Sequence, residues 1–470
     1  MPNIIGLDLG TTTVTGVLLT VGSGDVLRLV QRRNDAALQT ALPTRAEQDP
    51  LRLRSLALEV LAELISGGEA VDGIAVTGQM HGLLCVDGQG WPLTPLFSWQ
   101  DQRTAELLHD GATTLDQLAA CLTGLDWHEN GCRMAHGYGA ATLFWLVQQG
   151  ELPTGTQRVC TIAGWLAGQL TGKLPVSDPT FAASWGIYSL VERAWNDAVL
   201  QRLGLDCRLL PPIRPAGDRL GGLDSEVARR VGLTSGTPVF NAWGDNQASY
   251  IGSLFDSFPV ASSADGWLSM QQAILFNLGT GGQICWMVPG YEPPSQTVET
   301  RPLPGGRFLR VGASLCGGAA YAWLNQTVRA WLAEFGLQES EEVVYERLDA
   351  LIADCEGPDG LQVRTTFLGM RGDPTVQAGA IEGITLQNLR LGALGQATLR
   401  GMVDELHSLY LAHGGEAAGH THVVASGGGV RKNPFLPNLL EESFGLRVRE
   451  PRFQETAAAG AAMLSLLLLA

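Results

Sequence analysis

The residues best suited to chemistry lie in four short segments. Asp8-Leu9-Gly10-Thr11-Thr12-Thr13 puts a carboxylate at the end of an apolar run, followed by a glycine and three hydroxyls. Glycine lets backbone N–H groups approach phosphate oxygens, and threonine hydroxyls add donors. A carboxylate beside such a turn can hold Mg²⁺ through water, because Mg²⁺ dehydrates reluctantly; an ordinary hairpin with an acidic shoulder is the alternative. Gly279-Thr280-Gly281-Gly282 is a second turn of this kind. Ser426-Gly427-Gly428-Gly429 is a third, with a plain flexible loop as its alternative. The fourth segment, Gly244-Asp245-Asn246-Gln247, sets an acid where a helix should begin. Asp245 is there either an N-cap, worth ~1 kcal/mol, or a general base that accepts a proton from a substrate hydroxyl. Such a base need not be strong, since phosphoryl transfer asks mainly for positioning and charge neutralisation. No G-x-x-x-x-G-K-[ST] sequence occurs, which excludes a Walker-type site.

Two further segments suit a polyol. Gln79-Met80-His81 follows a strand-like run ending at Thr77, and Trp99-Gln100-Asp101 follows Leu96-Phe97. Gln and His can hydrogen-bond sugar hydroxyls, and an indole face suits sugar C–H surface. Singly, each reads as a structural residue; together, at strand ends of one domain, they outline a polyol pocket. His420-Thr421-His422 lacks an evident third ligand and reads as a solvated loop rather than a metal site.

The elements that must hold these groups form an α/β pattern. Residues 4–8 are a short apolar strand, 14–20 resume it after the turn, and 26–30 complete a meander. Asp49-Pro50 marks a helix start, with the amphipathic run 51–65 behind it, and 73–77 return to strand. The opening recurs: 273–277 are a strand, 279–282 a turn, 284–288 a strand, and Leu9-Gly10-Thr11 matches Leu278-Gly279-Thr280. Two such openings predict two related α/β halves, 1–255 and 265–470, joined where periodicity is lost near 252–268. A surface loop is expected over 412–422 before the strand 422–425.

Composition narrows the partners. The 470 residues carry 31 Lys+Arg against 47 Asp+Glu, a formal charge of −16, which argues against nucleic acid or an anionic membrane. A phosphate ligand must therefore be held by local amides, helix N-termini and Mg²⁺. The eight cysteines are scattered without a C-x-x-C pair and no export signal is visible, so reduced thiols and a cytoplasmic location are expected. The apolar run 457–470 falls short of the roughly 20 residues of a spanning helix and reads as a buried terminal helix.

Taken in order, these segments resemble the FGGY family of carbohydrate kinases along essentially the whole chain. The resemblance implies two duplicated actin-like, ribonuclease H-like domains (the fold of hexokinase, Hsp70 and actin) with an interdomain cleft. It matches Gly10, Thr11, Thr12 and Thr13 to the first phosphate loop, and Gly279, Thr280 and Gly281 to the second. Gly427, Gly428, Gly429 and Asn433 fall on the adenosine segment. Asp8 would hold Mg²⁺ through water, and Asp245 takes the place of the family's catalytic aspartate. Gln79, Met80, His81, Trp99, Asp101, Tyr138 and Asn246 would bind the sugar together with Asp245. Within the family, Ser98-Trp99-Gln100-Asp101, the run 137–145 and Ala183-Ser184-Trp185-Gly186 look most like sedoheptulokinase. That implies transfer from ATP to sedoheptulose, with D-xylulose or ribulose as the other ketoses. A chaperone-like ATPase and an inactive sugar- and nucleotide-binding relative are the readings from other classes. A homodimer is left open. The chain departs from the family pattern at Thr15, Thr142, Ala393 and Arg400.

Overall fold

The computed structural model describes the chain apart from residues 109–110, 255–262, 371–375, 377 and 470. Two sheets of one design organise it. In the first, β1 (Asn3–Leu9), β2 (Thr13–Thr20) and β3 (Asp25–Arg33) form an antiparallel meander. On its other side β1 pairs in parallel with β4 (Gly73–Gly78). β5 (Arg219–Gly222) lies antiparallel to β6 (Pro238–Phe240), while β6 and β7 (Trp243–Gly244) both run parallel to β4. In the second sheet β8 (Ala273–Leu278), β9 (Gly282–Val288), β10 (Val298–Leu303) and β11 (Arg307–Ser314) make the antiparallel part, in the order β10-β11-β9-β8. β12 (His422–Ser426) and β13 (Arg447–Arg449) then add in parallel beside β8.

In each sheet an antiparallel hairpin is extended by further antiparallel strands on one side, and its first strand recruits parallel partners on the other, the ribonuclease H-like arrangement expected of duplicated halves. β1 and β8 are the equivalent central strands. Both are buried on two faces, which is why they read as nearly continuous apolar runs. The β1–β2 hairpin closes with Leu9 opposite Val14, and the β8–β9 hairpin with Leu278 opposite Gly282.

The halves share an apolar layer. Trp243 and Ile251 from the first, Leu275 and Met287 from the second, and Ala459 and Met463 of the terminal helix belong to one buried cluster. The helix Asp245–Ser253 packs against the terminal helix Thr456–Leu469 through facing glycines. A Cβ on Gly460 would lie 1.9 Å from the Ala248 carbonyl oxygen, and one on Gly252 2.0 Å from that of Thr456. In the terminal run Ala458 and Ala459 and the segment 461–464 are buried, and among the described residues no helix is long and apolar enough to cross a membrane.

Local expectations fare unevenly. Asp49 caps the helix Pro50–Leu64, accepting from the Leu51 N–H at 2.8 Å, with Pro50 in the first turn. The expected join is partly corrected: a helix spans Ser263–Gln271, because Trp267 and Met270 anchor it in the shared layer. Its neighbours 255–262 lie outside the described residues. The expected loop 412–422 holds a short 3-10 turn, Gly415–Ala418. None of the eight cysteines forms a disulfide.

Candidate active site

Strand register brings the first group of residues level. Asp8 of β1 pairs with Thr77 of β4, and Thr77 with Trp243 of β7; one step on, Leu9, Gly78 and Gly244 align. The three segments that follow, 10–13, 79–81 and 245–247, therefore emerge side by side at the carboxyl edge of the sheet, where α/β folds bind ligands. The Thr77 hydroxyl donates to the Trp243 carbonyl at 2.8 Å, and the Gln79 N–H to that of Leu9 at 3.0 Å.

Gly244, not Asp245, occupies the cap of the helix Asp245–Ser253, so the capping alternative is set aside. Burial pushes the Asp245 carboxyl up to about 6, opposed by the Asn246 N–H and by the positive field of Arg301. The peptide in front of it is fixed from below. The Gly244 N–H donates to the Thr180 hydroxyl at 2.7 Å, which donates to Asp178 at 2.9 Å. Asp178 also accepts the N–H groups of Thr180 and Phe181, each at 3.0 Å. Burial raises it to about 7 against those donors. Sequence reasoning missed this relay, although Asp178-Pro179 is a recognisable helix start. Thr180→Val should leave the Gly244 N–H unsatisfied and take one of three donors from Asp178, costing about 1–3 kcal/mol. Asp245 would then drift, lowering kcat by up to ~10²-fold. Urea midpoints and turnover, with Thr180→Ser restoring both, check this.

Asp8 lies beside Asp245. Burial, then the charges of Asp245 and Glu455, push its carboxyl well above the usual carboxylate range. Its Oδ1 is buried without a hydrogen-bond partner. Acids crowded in this way are relieved by a cation, which reverses the shift. Among the described residues no group of three or more His, Cys, Asp or Glu could hold a metal. Asp8 fits a Mg²⁺ that draws its remaining ligands from phosphate and water, the usual arrangement for that ion.

The first turn is clamped by Asn34, whose side chain donates to the Gly10 and Thr11 carbonyls, both at 3.0 Å. The facing edge comes from the second sheet. Turn 279–281 carries the helix Ala319–Glu334 on its carbonyls: the Gly318 N–H donates to Gly279 at 2.9 Å and the Ala319 N–H to Thr280 at 3.0 Å. Gly427 has φ +95 and ψ 161, open essentially to glycine alone, and a Cβ there would lie 2.4 Å from the Leu278 carbonyl oxygen. The third glycine segment is thereby pressed against the end of β8. Just beyond it the buried Asn433 accepts from the Phe435 N–H at 3.1 Å, while its Nδ2 has no partner. The edges meet where Asn246 Nδ2 donates to Gln283 Oε1 at 2.9 Å.

The polyol residues divide. Met80 and His81 line a narrow cavity with Thr180 and Ser184. His81 has φ +73, an unusual conformation for a non-glycine residue, held by Ser184, whose hydroxyl accepts the His81 N–H at 3.2 Å. The Ser184 carbonyl lies 2.7 Å from Nδ1. A carbonyl only accepts, so Nδ1 carries a proton. His81 stacks on Tyr138 at 4.3 Å. Trp99, 45% exposed, donates from Nε1 to the Thr11 hydroxyl at 2.9 Å, tying the indole to the first turn. Gly137 permits Tyr138 to approach, since its φ is +75 and a Cβ would lie 2.0 Å from the Trp99 carbonyl oxygen.

Two residues take other positions. Asp101 is buried, with both carboxylate oxygens bonded to Arg103 and one also to the Ala46 N–H, so its acceptors are taken up within the protein. The Gln79 side chain turns to Gln48, donating to its Oε1 at 2.8 Å near the first turn. The departures also have places: Thr15 is buried opposite Asp8, Thr142 and Ala393 are buried, and Arg400 pairs with Glu442 at 2.7 Å.

Comparison with known proteins fits this geometry. Residues 3–252 match the N-terminal domain of the FGGY family of carbohydrate kinases, and residues 276–469 its C-terminal domain. The chain is 30% identical to human sedoheptulokinase over a 489-residue alignment covering 99% of this chain and 97% of that one. It is 26% identical to the xylulose kinase of Bacillus subtilis, covering 99% and 88%. In fold it is similar to the crystal structure of xylulose kinase from Rhodospirillum rubrum, with a TM-score of 0.83 at 23% identity, covering 98% and 89%. The chain belongs to the FGGY family of carbohydrate kinases, ATP-dependent phosphotransferases that act on small sugars.

Proposed function

We propose that this kinase transfers the terminal phosphoryl group of ATP to the terminal primary hydroxyl of a ketose, sedoheptulose first, giving sedoheptulose 7-phosphate. The observation that carries it is the convergence of Asp8, Asp245 and two glycine turns at facing sheet edges, beside the His81–Tyr138 stack. Similarity to human sedoheptulokinase favours the seven-carbon ketose. Xylulose is the second candidate, because xylulose kinases stand among the relatives.

Asp245 orients the sugar hydroxyl and accepts its proton. Amides and hydroxyls of 10–13 and 279–281 hold the phosphates, and Gly427–Gly429 with Asn433 receive the adenosine. Met80, His81, Tyr138, Trp99 and Asn246 surround the sugar, and Gln79 and Asp101 support them from behind. Mg²⁺ near Asp8 supplies charge neutralisation between the phosphates. Residues 1–255 and 265–470 are the two domains, and their closure excludes water from the transfer.

A panel of five- to seven-carbon ketoses, aldoses and polyols, assayed by coupled ADP release, tests the assignment. Sedoheptulose should give the highest kcat/KM. ADP release that no sugar stimulates would refute it. Because a base must be ionised to accept a proton, kcat/KM should climb with pH through about 6 and level off above, following the Asp245 carboxyl. A pH–rate profile at saturating Mg²⁺ measures this.

A further inference from the structure

The cavity beside Met80 and His81 has a roof from the other domain: Glu299, Thr300 and Arg301 of the edge strand β10 line it. That strand is docked at two points on the N-terminal domain. The Thr300 N–H donates to the Gly131 carbonyl at 2.9 Å, and Gln247 Nε2 to that of Pro302 at 3.3 Å. Strand alternation puts Glu299 and Arg301 on the same face. Arg301 is 7% exposed, and its Nε and Nη2 both donate to Glu299 Oε2, at 3.0 and 2.7 Å. No hydrogen-bond partner for Nη1 is present among the described residues. Arg301 shares the lining of the cavity with His81, which stacks on Tyr138, and its positive field reaches Asp245.

A buried arginine beside a substrate cavity ordinarily grips a carboxylate or phosphate through its two-pronged edge. Here a carboxylate of the protein already fills that edge. What remains is a donor on a group whose charge is cancelled internally. Burying the pair is costly unless it is well bonded.

We propose that Arg301 and Glu299 are the C-terminal domain's part of the sugar subsite and restrict it to uncharged polyols. Arg301 donates to oxygen atoms of the ketose across from the His81–Tyr138 stack. Glu299 denies the guanidinium edge to an aldonate or a sugar phosphate. The inference rests on the kinase reading and deepens it: specificity is divided between domains, and only the closed form reads the whole sugar.

The test compares wild type, Arg301→Gln and Glu299→Gln with the preferred ketose and with gluconate as the carboxylate probe, by ADP release. Wild-type activity on ketoses comes first, and its absence would overturn the ketose reading on which the inference rests. Given that activity, Arg301→Gln should raise KM for the ketose at least ~10-fold while KM for ATP stays within about 2-fold. Glu299→Gln should raise the gluconate-to-ketose ratio of kcat/KM by ~10-fold or more, by leaving the guanidinium charge uncancelled toward a carboxylate. An unchanged ketose KM, parallel rises in both KM values, or an unchanged gluconate ratio would overturn the assignment and leave the kinase standing. Should either variant fail to fold, hydrogen exchange on the wild type decides: the ketose alone should protect the 298–303 segment, and no protection would overturn it.

Discussion

Asp245→Asn should lower kcat by about 10²–10⁴-fold, the usual contribution of a positioned proton acceptor, with ATP binding retained. The carboxamide keeps the side chain's shape and place at the start of its helix but cannot take up the sugar's proton. Nucleotide affinity should hold, because the phosphate turns lie on other segments and the substitution removes a negative charge next to Asp8. Turnover by coupled assay and ATP affinity by calorimetry separate the two effects. Near-normal turnover would remove Asp245 from the mechanism, whereas lost ATP binding would show that the substitution had disturbed the cleft. The variant should also lose the rise in rate near pH 6, since Asn does not titrate.

The other large effect is on stability. Gly460→Ala adds one methyl group inside a helix, where on an exposed surface it would stabilise by about 1 kcal/mol. Here that Cβ would lie 1.9 Å from the Ala248 carbonyl oxygen and 2.8 Å from the Gly252 nitrogen. Both are backbone atoms, so no side-chain rotation relieves the contact and the two helices must separate. Overpacking of this kind costs roughly 1–3 kcal/mol and occasionally more, and it outweighs the gain in helix propensity. A net loss of about 2 kcal/mol is expected, read as a lower urea midpoint. One of the separated helices begins with Asp245, so kcat should fall as well. A midpoint at or above that of wild type would mean that the contact is looser than the structure has it.

Much of the scaffold was legible because local rules decide it. Two apolar strands ending in glycine turns marked both hairpins, and Asp49-Pro50 marked a helix start, since backbone freedom and capping act within a few residues. The Ser263–Gln271 helix escaped notice. Its polar composition gave no period, and its anchors Trp267 and Met270 find their partners only in the assembled layer between the sheets.

The same boundary runs through the site. Residue types alone favoured Asp245 as a cap; the family resemblance made it the base, and the structure puts Gly244 at the cap instead. Sequence could not foretell that Asp101 would be consumed by Arg103, that Thr180 would brace the peptide before Asp245, or that Glu299 and Arg301 would cross from the other domain. Periodicity and turn chemistry report how a residue relates to its near neighbours along the chain. The alignment of Asp8, Thr77 and Trp243 depends on strands up to 235 residues apart choosing one register, and that choice is made by burial of both sheet faces at once, which no local stretch of sequence encodes.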